Sequence, residues 1–151
     1  MSMAKKYIYK ILFLLTLVLT TSPVMAWNQF NGLRCRAEMS IPSGRYIVYE
    51  EFQCQDRSSI CQSKRHHGDD EHPQFYTYLP TQTPGLYDVL YENKGDLFTG
   101  TSSCETSATT ITCQKHVADF DSFYILLSPK KLNVVHYWLG SFYSQENHDC
   151  E

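Results

Sequence analysis

Beyond its first 26 residues the chain alternates apolar and polar positions, and no stretch repeats its apolar residues with the period of a helix. Residues 45–54 show the pattern well. Tyr46, Val48 and Phe52 fall on one side and Ile47 and Tyr49 on the other, behind a turn at Pro42-Ser43-Gly44. Gln74 to Leu79 reads as a second short strand. Pro84-Gly85 interrupts the chain before a third, Leu86 to Glu92, and the polar turn Asn93-Lys94-Gly95-Asp96 leads into Leu97-Phe98-Thr99. Strands spaced in this way suggest a meander.

The clearest hairpin runs from Phe123 to Leu127, turns through Ser128-Pro129-Lys130-Lys131 and returns from Leu132 to Trp138. Pro129 suits the second position of a type I turn, and a four-residue loop pairs Leu127 with Leu132. In that register Phe123, Ile125 and Leu127 share the core-facing side with Leu132, Val134, His136 and Trp138. Tyr124, Leu126, Asn133, Val135 and Tyr137 take the opposite side, which is too apolar for an open face and needs a second layer or a ligand over part of it. The expected fold is all-β, a small antiparallel barrel or sandwich of six to eight strands.

Compartment follows from the first residues and the cysteines together. Lys5, Lys6 and Lys10 form a positive n-region, Ile11 to Thr21 an apolar stretch, and Val24-Met25-Ala26 a small-x-small cleavage site ahead of Trp27. The reading is a signal peptide over 1–26 and a single secreted β domain over 27–151. An exported chain enters an oxidising compartment, so Cys35, Cys54, Cys61, Cys104, Cys113 and Cys150 are expected to form three disulfides. A hairpin turning at Ala108-Thr109 places Cys104 opposite Cys113 at a non-hydrogen-bonded pair, where Cα atoms approach within about 4.5 Å, a span a disulfide tolerates. Ala-Thr is poor chemistry for a tight turn, so a wider loop with the same pairing is the alternative. Cys54 with Cys61 would close a polar loop, and Cys35 with Cys150 would join the two ends, although six cysteines permit other connectivities.

Charge narrows the partners. Three of the 13 Lys+Arg leave with the signal segment and all 16 Asp+Glu stay, so ten cations face 16 anions, a net charge of −6. Such a surface repels nucleic acid and anionic membranes and suits a basic protein partner. No apolar run reaches the roughly 18 residues of a spanning helix, so no membrane anchor is expected. The absence of any Asn-x-Ser/Thr acceptor favours a bacterial secretory origin.

From about Cys113 to Cys150 the chain carries a strand, an acidic turn, Asp121-Ser122-Phe123-Tyr124-Ile125-Leu126-Leu127, a short basic hairpin tip, an aromatic strand and a final cysteine. This C-terminal quarter resembles uncharacterised small secreted proteins of Gram-negative bacteria. The resemblance implies a periplasmic or secreted address and carries no catalytic or binding residue with it.

Candidate chemistry is sparse. Lys64-Arg65-His66-His67-Gly68-Asp69-Asp70-Glu71-His72 offers imidazoles and carboxylates, yet its spacing matches no metal motif, and a solvated loop is the plainer reading. His136 falls on the core-facing strip beside Phe123 and Trp138, either as a pocket base or ligand contact or as a structural histidine, with no nucleophile partner legible. Glu50 and Glu51 point to opposite faces of a strand and do not form an acid–base pair. Asp119 and Asp121 flank Phe120 in an apparent turn. The strand-borne tyrosines suit either sheet packing or an interface. The expected function is a non-enzymatic binding protein engaging another protein, of the inhibitor or immunity-factor type. The alternative is a carrier of a small apolar ligand with a barrel pocket. His136, Trp138, Tyr124 and Tyr137 are the candidate binding residues, with no cofactor, metal or catalytic residue expected.

Overall fold

A computed structural model describes residues 26–41, 44–68, 72–128 and 131–151. The signal segment up to residue 25, Pro42-Ser43 of the first turn, residues 69–71 of the polar cluster and Pro129-Lys130 of the hairpin tip lie outside the described residues. A short 3-10 helix, Ala26–Phe30, precedes ten strands: β1 (Arg34–Ile41), β2 (Gly44–Cys54), β3 (Cys61–His67), β4 (Gln74–Pro80), β5 (Leu86–Asn93), β6 (Asp96–Thr106), β7 (Ile111–Val117), β8 (Phe120–Ser128), β9 (Lys131–Trp138) and β10 (Ser141–Cys150). Each strand pairs antiparallel with the next, and β10 returns to β1 to close an up-and-down barrel. Closure gives every strand two neighbours, although β1 and β10 are paired only at Cys35↔Cys150 and Arg36↔Asp149. No helix among the described residues is long and apolar enough to cross a membrane.

The expectation of six to eight strands is corrected to ten. The strands that alternation missed are β1, β3 and β10; in β3 and β10 the inward positions include Ser63, Arg65, Glu146 and His148, all buried. A polar residue at every second position erases the apolar half of the pattern on which strand recognition rests.

Three disulfides join directly opposed residues of neighbouring strands: Cys35–Cys150 between β1 and β10, Cys54–Cys61 between β2 and β3, and Cys104–Cys113 between β6 and β7. In an up-and-down barrel odd strands start, and even strands finish, at one end, and all three bonds lie there. The Cys104–Cys113 hairpin keeps the tight register, with Ser107 N–H donating to Thr110 O at 2.8 Å. Ser107 provides what Ala108-Thr109 lacks, because its Oγ accepts from the Thr110 N–H at 3.1 Å and meets Thr110 Oγ1 at 2.8 Å.

The 3-10 helix plugs that same end. Trp27 and Phe30 are fully buried, with Trp27 stacked on Tyr78 at 3.8 Å between ring centroids and its Nε1–H donating to Ser102 Oγ at 3.2 Å. Phe52, Tyr87, Val89, Tyr124, Leu126, Leu132 and Val134 complete the apolar core around them. Midway along β6, Gly100 allows β7 to approach closely, since a Cβ there would stand 2.1 Å from the His116 carbonyl oxygen.

The β8–β9 hairpin corrects the expected faces. A register shift between Leu126 and Ser128 pairs Leu126, not Leu127, with Leu132. One residue of slip reverses a whole strand. Ser122, Tyr124 and Leu126 therefore face inward, while Leu127 is 47% exposed. The inward set expected for β9 holds for Leu132 and Val134.

Candidate ligand cavity and its charged floor

Away from the plug the barrel is hollow. A cavity of about 770 Å³ opens toward the turns that join β1 to β2, β3 to β4, β5 to β6, β7 to β8 and β9 to β10. Its walls carry Met39, Tyr46, Tyr76, Tyr91, Phe98, Val117, Phe120 and Tyr143, and its floor carries Arg65, Lys115, Ser122, His136 and Glu146. Aromatic rings line one side in sequence, Tyr76 stacked on Tyr91 at 4.6 Å and Tyr91 on Phe98 at 5.7 Å. The rim is apolar as well, with Leu97, Phe98, Phe120, Trp138, Leu139, Phe142 and Tyr143 all exposed.

The floor is a connected network from six strands. Arg65 donates through Nη1 to Glu50 Oε2 at 3.2 Å and to Glu146 Oε2 at 2.9 Å, while its Nη2 meets Glu146 Oε1. Both histidines of β9 and β10 also reach Glu146, His136 Nε2 to Oε1 at 3.2 Å and His148 Nε2 to Oε2 at 2.9 Å. An ionised carboxylate only accepts, so both Nε2 atoms carry hydrogen, and Nδ1 of a neutral His136 accepts from the Ser122 hydroxyl at 2.8 Å. Tyr124 donates to Glu50 Oε1 at 2.9 Å and accepts from Lys115 Nζ, also at 2.9 Å. Nδ1 of His148 is buried without a hydrogen-bond partner among the described residues.

Burial and pairing set the charges of this floor. Burial disfavours the charge on Arg65, but hydrogen bonding to Glu146 and the charges of Glu50 and Glu146 prevail and raise its pKa. Burial likewise opposes the Glu146 carboxylate, and hydrogen bonds from His136, His148 and Arg65 overcome it, holding its pKa well below the usual range. Lys115 differs from both. Burial lowers its pKa to about 7 against the raising field of Glu50. It makes no ion pair among the described residues, its Nζ lying 3.3 Å from the centroid of the Tyr76 ring. Burial also pushes the hydroxyls of Tyr76, Tyr78 and Tyr124 up, keeping them protonated.

The sequence-derived candidates separate in space. His136 lines the cavity, and Tyr124 lies beneath the floor as the link between Lys115 and Glu50. Trp138 stands at the rim, 49% exposed and stacked on Phe120. Tyr137 packs on the outer surface against Phe123 and Phe142. Sequence reasoning missed Glu50, Arg65, Lys115, Ser122, Glu146 and His148. Lys64 to His67, read as loop, form part of β3, and the Tyr46 hydroxyl contacts His67 Nδ1. Glu50 and Lys115 carried a legible signal, each a charged residue two positions from an inward-facing neighbour, Val48 and Cys113.

Ser122, His136 and Glu146 stand in series like the parts of an acyl-transfer site. Ser122 sits mid-strand with Lys115 and His136 paired on either side. Its flanking backbone N–H groups thus belong to the ladder and are not free to hold an oxyanion. The series fixes the orientation of His136 toward the cavity. No family model, curated protein or solved structure matches this chain.

Proposed function

We propose that this protein binds a small, largely apolar molecule with one neutral polar end, and that it works in the periplasm or outside the cell. The observation that carries the reading is the aromatic-walled cavity of about 770 Å³ standing on a polar floor. That volume falls within the range of small-molecule pockets, which combine apolar walls with a few fixed polar groups. In the floor Arg65 already engages both carboxylates, Glu50 and Glu146, so a ligand end without charge adds no unpaired buried charge. Three disulfides fit an oxidising compartment.

A neutral fluorescent amphiphile such as 1-aminoanthracene tests this directly. The purified protein should enhance its emission at about one dye per chain, and Ser144→Trp, which places an indole in the cavity wall, should abolish the signal. Emission unchanged by the protein, or equally enhanced by the Trp variant, would remove the cavity reading.

The rim supports a second reading, engagement of another protein in the manner of an inhibitor or immunity factor. Phe120, Trp138 and Tyr143 form one contiguous exposed aromatic group, of the kind enriched at interfaces. A stoichiometric protein partner whose binding is lost in Trp138→Ser and untouched by the dye would favour it.

A further inference from the structure

We propose that Lys115 captures carbonyl ligands covalently, its Nζ condensing with an aldehyde held in the cavity to form an imine; the inference rests on the small-molecule reading above. Lys115 is 3% exposed and lines the cavity floor. Its Nζ touches the Tyr124 hydroxyl at 2.9 Å and lies over the Tyr76 ring, an environment of ring faces and one neutral oxygen. Every other charged floor residue is engaged by an opposite charge, Arg65 by both carboxylates. A buried amine that is not tied to a carboxylate and faces an apolar cavity has the two properties a Schiff-base lysine requires: desolvation and access to substrate.

The chemistry balances without any other reagent. The amine lone pair attacks the carbonyl carbon, and the carbonyl oxygen gains the proton that nitrogen loses, giving a carbinolamine. The carbon–oxygen bond then breaks, the hydroxyl leaves as water with the second proton lost from nitrogen, and the nitrogen lone pair forms the carbon–nitrogen double bond. Nothing is oxidised or reduced. The reaction needs the neutral amine, and lowering by burial leaves about half of Lys115 neutral at pH 7, against roughly one in a thousand or fewer molecules of an exposed lysine. Ser122, the cross-strand neighbour of Lys115, also lines the cavity floor. Apolar walls keep bulk water from returning the imine to aldehyde.

The test uses the full secreted protein with 2-naphthaldehyde at about pH 7, sodium cyanoborohydride to fix the imine, and peptide mapping. Binding of 2-naphthalenemethanol, which cannot form an imine, is measured in parallel. We expect one naphthylmethyl group per chain, on Lys115, at a rate with a midpoint near pH 7 and suppressed by excess alcohol. Lys115→Met and Lys115→Arg, shown to be folded by near-ultraviolet circular dichroism, should both lack the adduct. If the alcohol binds but no adduct forms, or the label spreads over the exposed Lys64, Lys94 and Lys131, covalent capture is wrong and the binding reading stands. If neither alcohol nor aldehyde binds, both fall together.

Discussion

Arg65 of β3 and Glu146 of β10 meet inside the barrel across 81 residues of sequence, with both terminal guanidinium nitrogens, Nη1 and Nη2, on the two carboxylate oxygens. Their strands are not neighbours in the sheet, so the pair crosses the lumen. Replacing Arg65 with Met would strand Glu50 and Glu146 as buried carboxylates and should destabilise the protein by about 3–5 kcal/mol. Adding Glu146→Gln should recover part of that loss. Urea unfolding of the single and double variants checks the order, and a double variant less stable than Arg65→Met alone would contradict it.

Glu146 also sets an acid limit. Its folded pKa is depressed by its hydrogen bonds to His136, His148 and Arg65, whereas in the unfolded chain it titrates near the ordinary 4.5. A carboxyl depressed in the fold contributes stability that is fully present above the unfolded value and drains away as pH falls toward the folded one. Stability should therefore decline below about pH 4.5, and Glu146→Gln should flatten that decline. Urea midpoints taken on either side of this pH give the slope; an unchanged slope in the variant would assign acid sensitivity elsewhere.

Lys115 acts in the opposite direction. Its folded pKa of about 7 lies below the 10.5 of an exposed lysine, so the unfolded state takes up a proton that the fold refuses. The penalty is full below about pH 7 and shrinks as pH rises toward 10.5. Removing the amine in Lys115→Met should stabilise the protein at pH 7 by about 2 kcal/mol, after allowing for the lost contacts to Tyr124 and Tyr76. The gain should be smaller near pH 9. Paired denaturation curves at the two pH values measure this, and a gain that grows with pH would refute the account.

Much of the apolar half of the barrel was readable from sequence, and most of the polar half was not. Tyr46, Val48 and Phe52 shared a face as the alternation indicated, and the hairpin geometry opposed Cys104 to Cys113. Arg65, Glu146 and His148 hid their own strands, because a buried charge at an inward position looks like a surface residue until its partner is known. Ser122 was concealed differently. The irregularity between Leu126 and Ser128 moved it opposite His136, the position that simple counting gave to Phe123. The candidate site was obscure because its residues defy the binary pattern and their compensation comes from distant strands.

The disulfides should differ in worth. Cys35–Cys150 spans 115 residues and Cys54–Cys61 only 7. By loop-closure entropy the longer link constrains the unfolded chain by about 2.5 kcal/mol more. The β1–β10 seam that it crosses is also the shortest ladder of the barrel, with Cys35↔Cys150 and Arg36↔Asp149 as its paired residues. Double alanine replacement of Cys35 and Cys150 should thus lower thermal stability more than the same change at Cys54 and Cys61, as calorimetry would show. The reverse ranking would mean that local strand geometry outweighs chain entropy.

Placing every covalent tie and the indole plug at one end makes the molecule mechanically polar, a cup with a welded base and a lip secured by backbone pairing alone. The turns of the lip, Asn93 to Asp96 and Trp138 to Ser141 among them, take part in none of the cross-links. Sequence drift there can redraw the aperture while the base goes on holding the staves together.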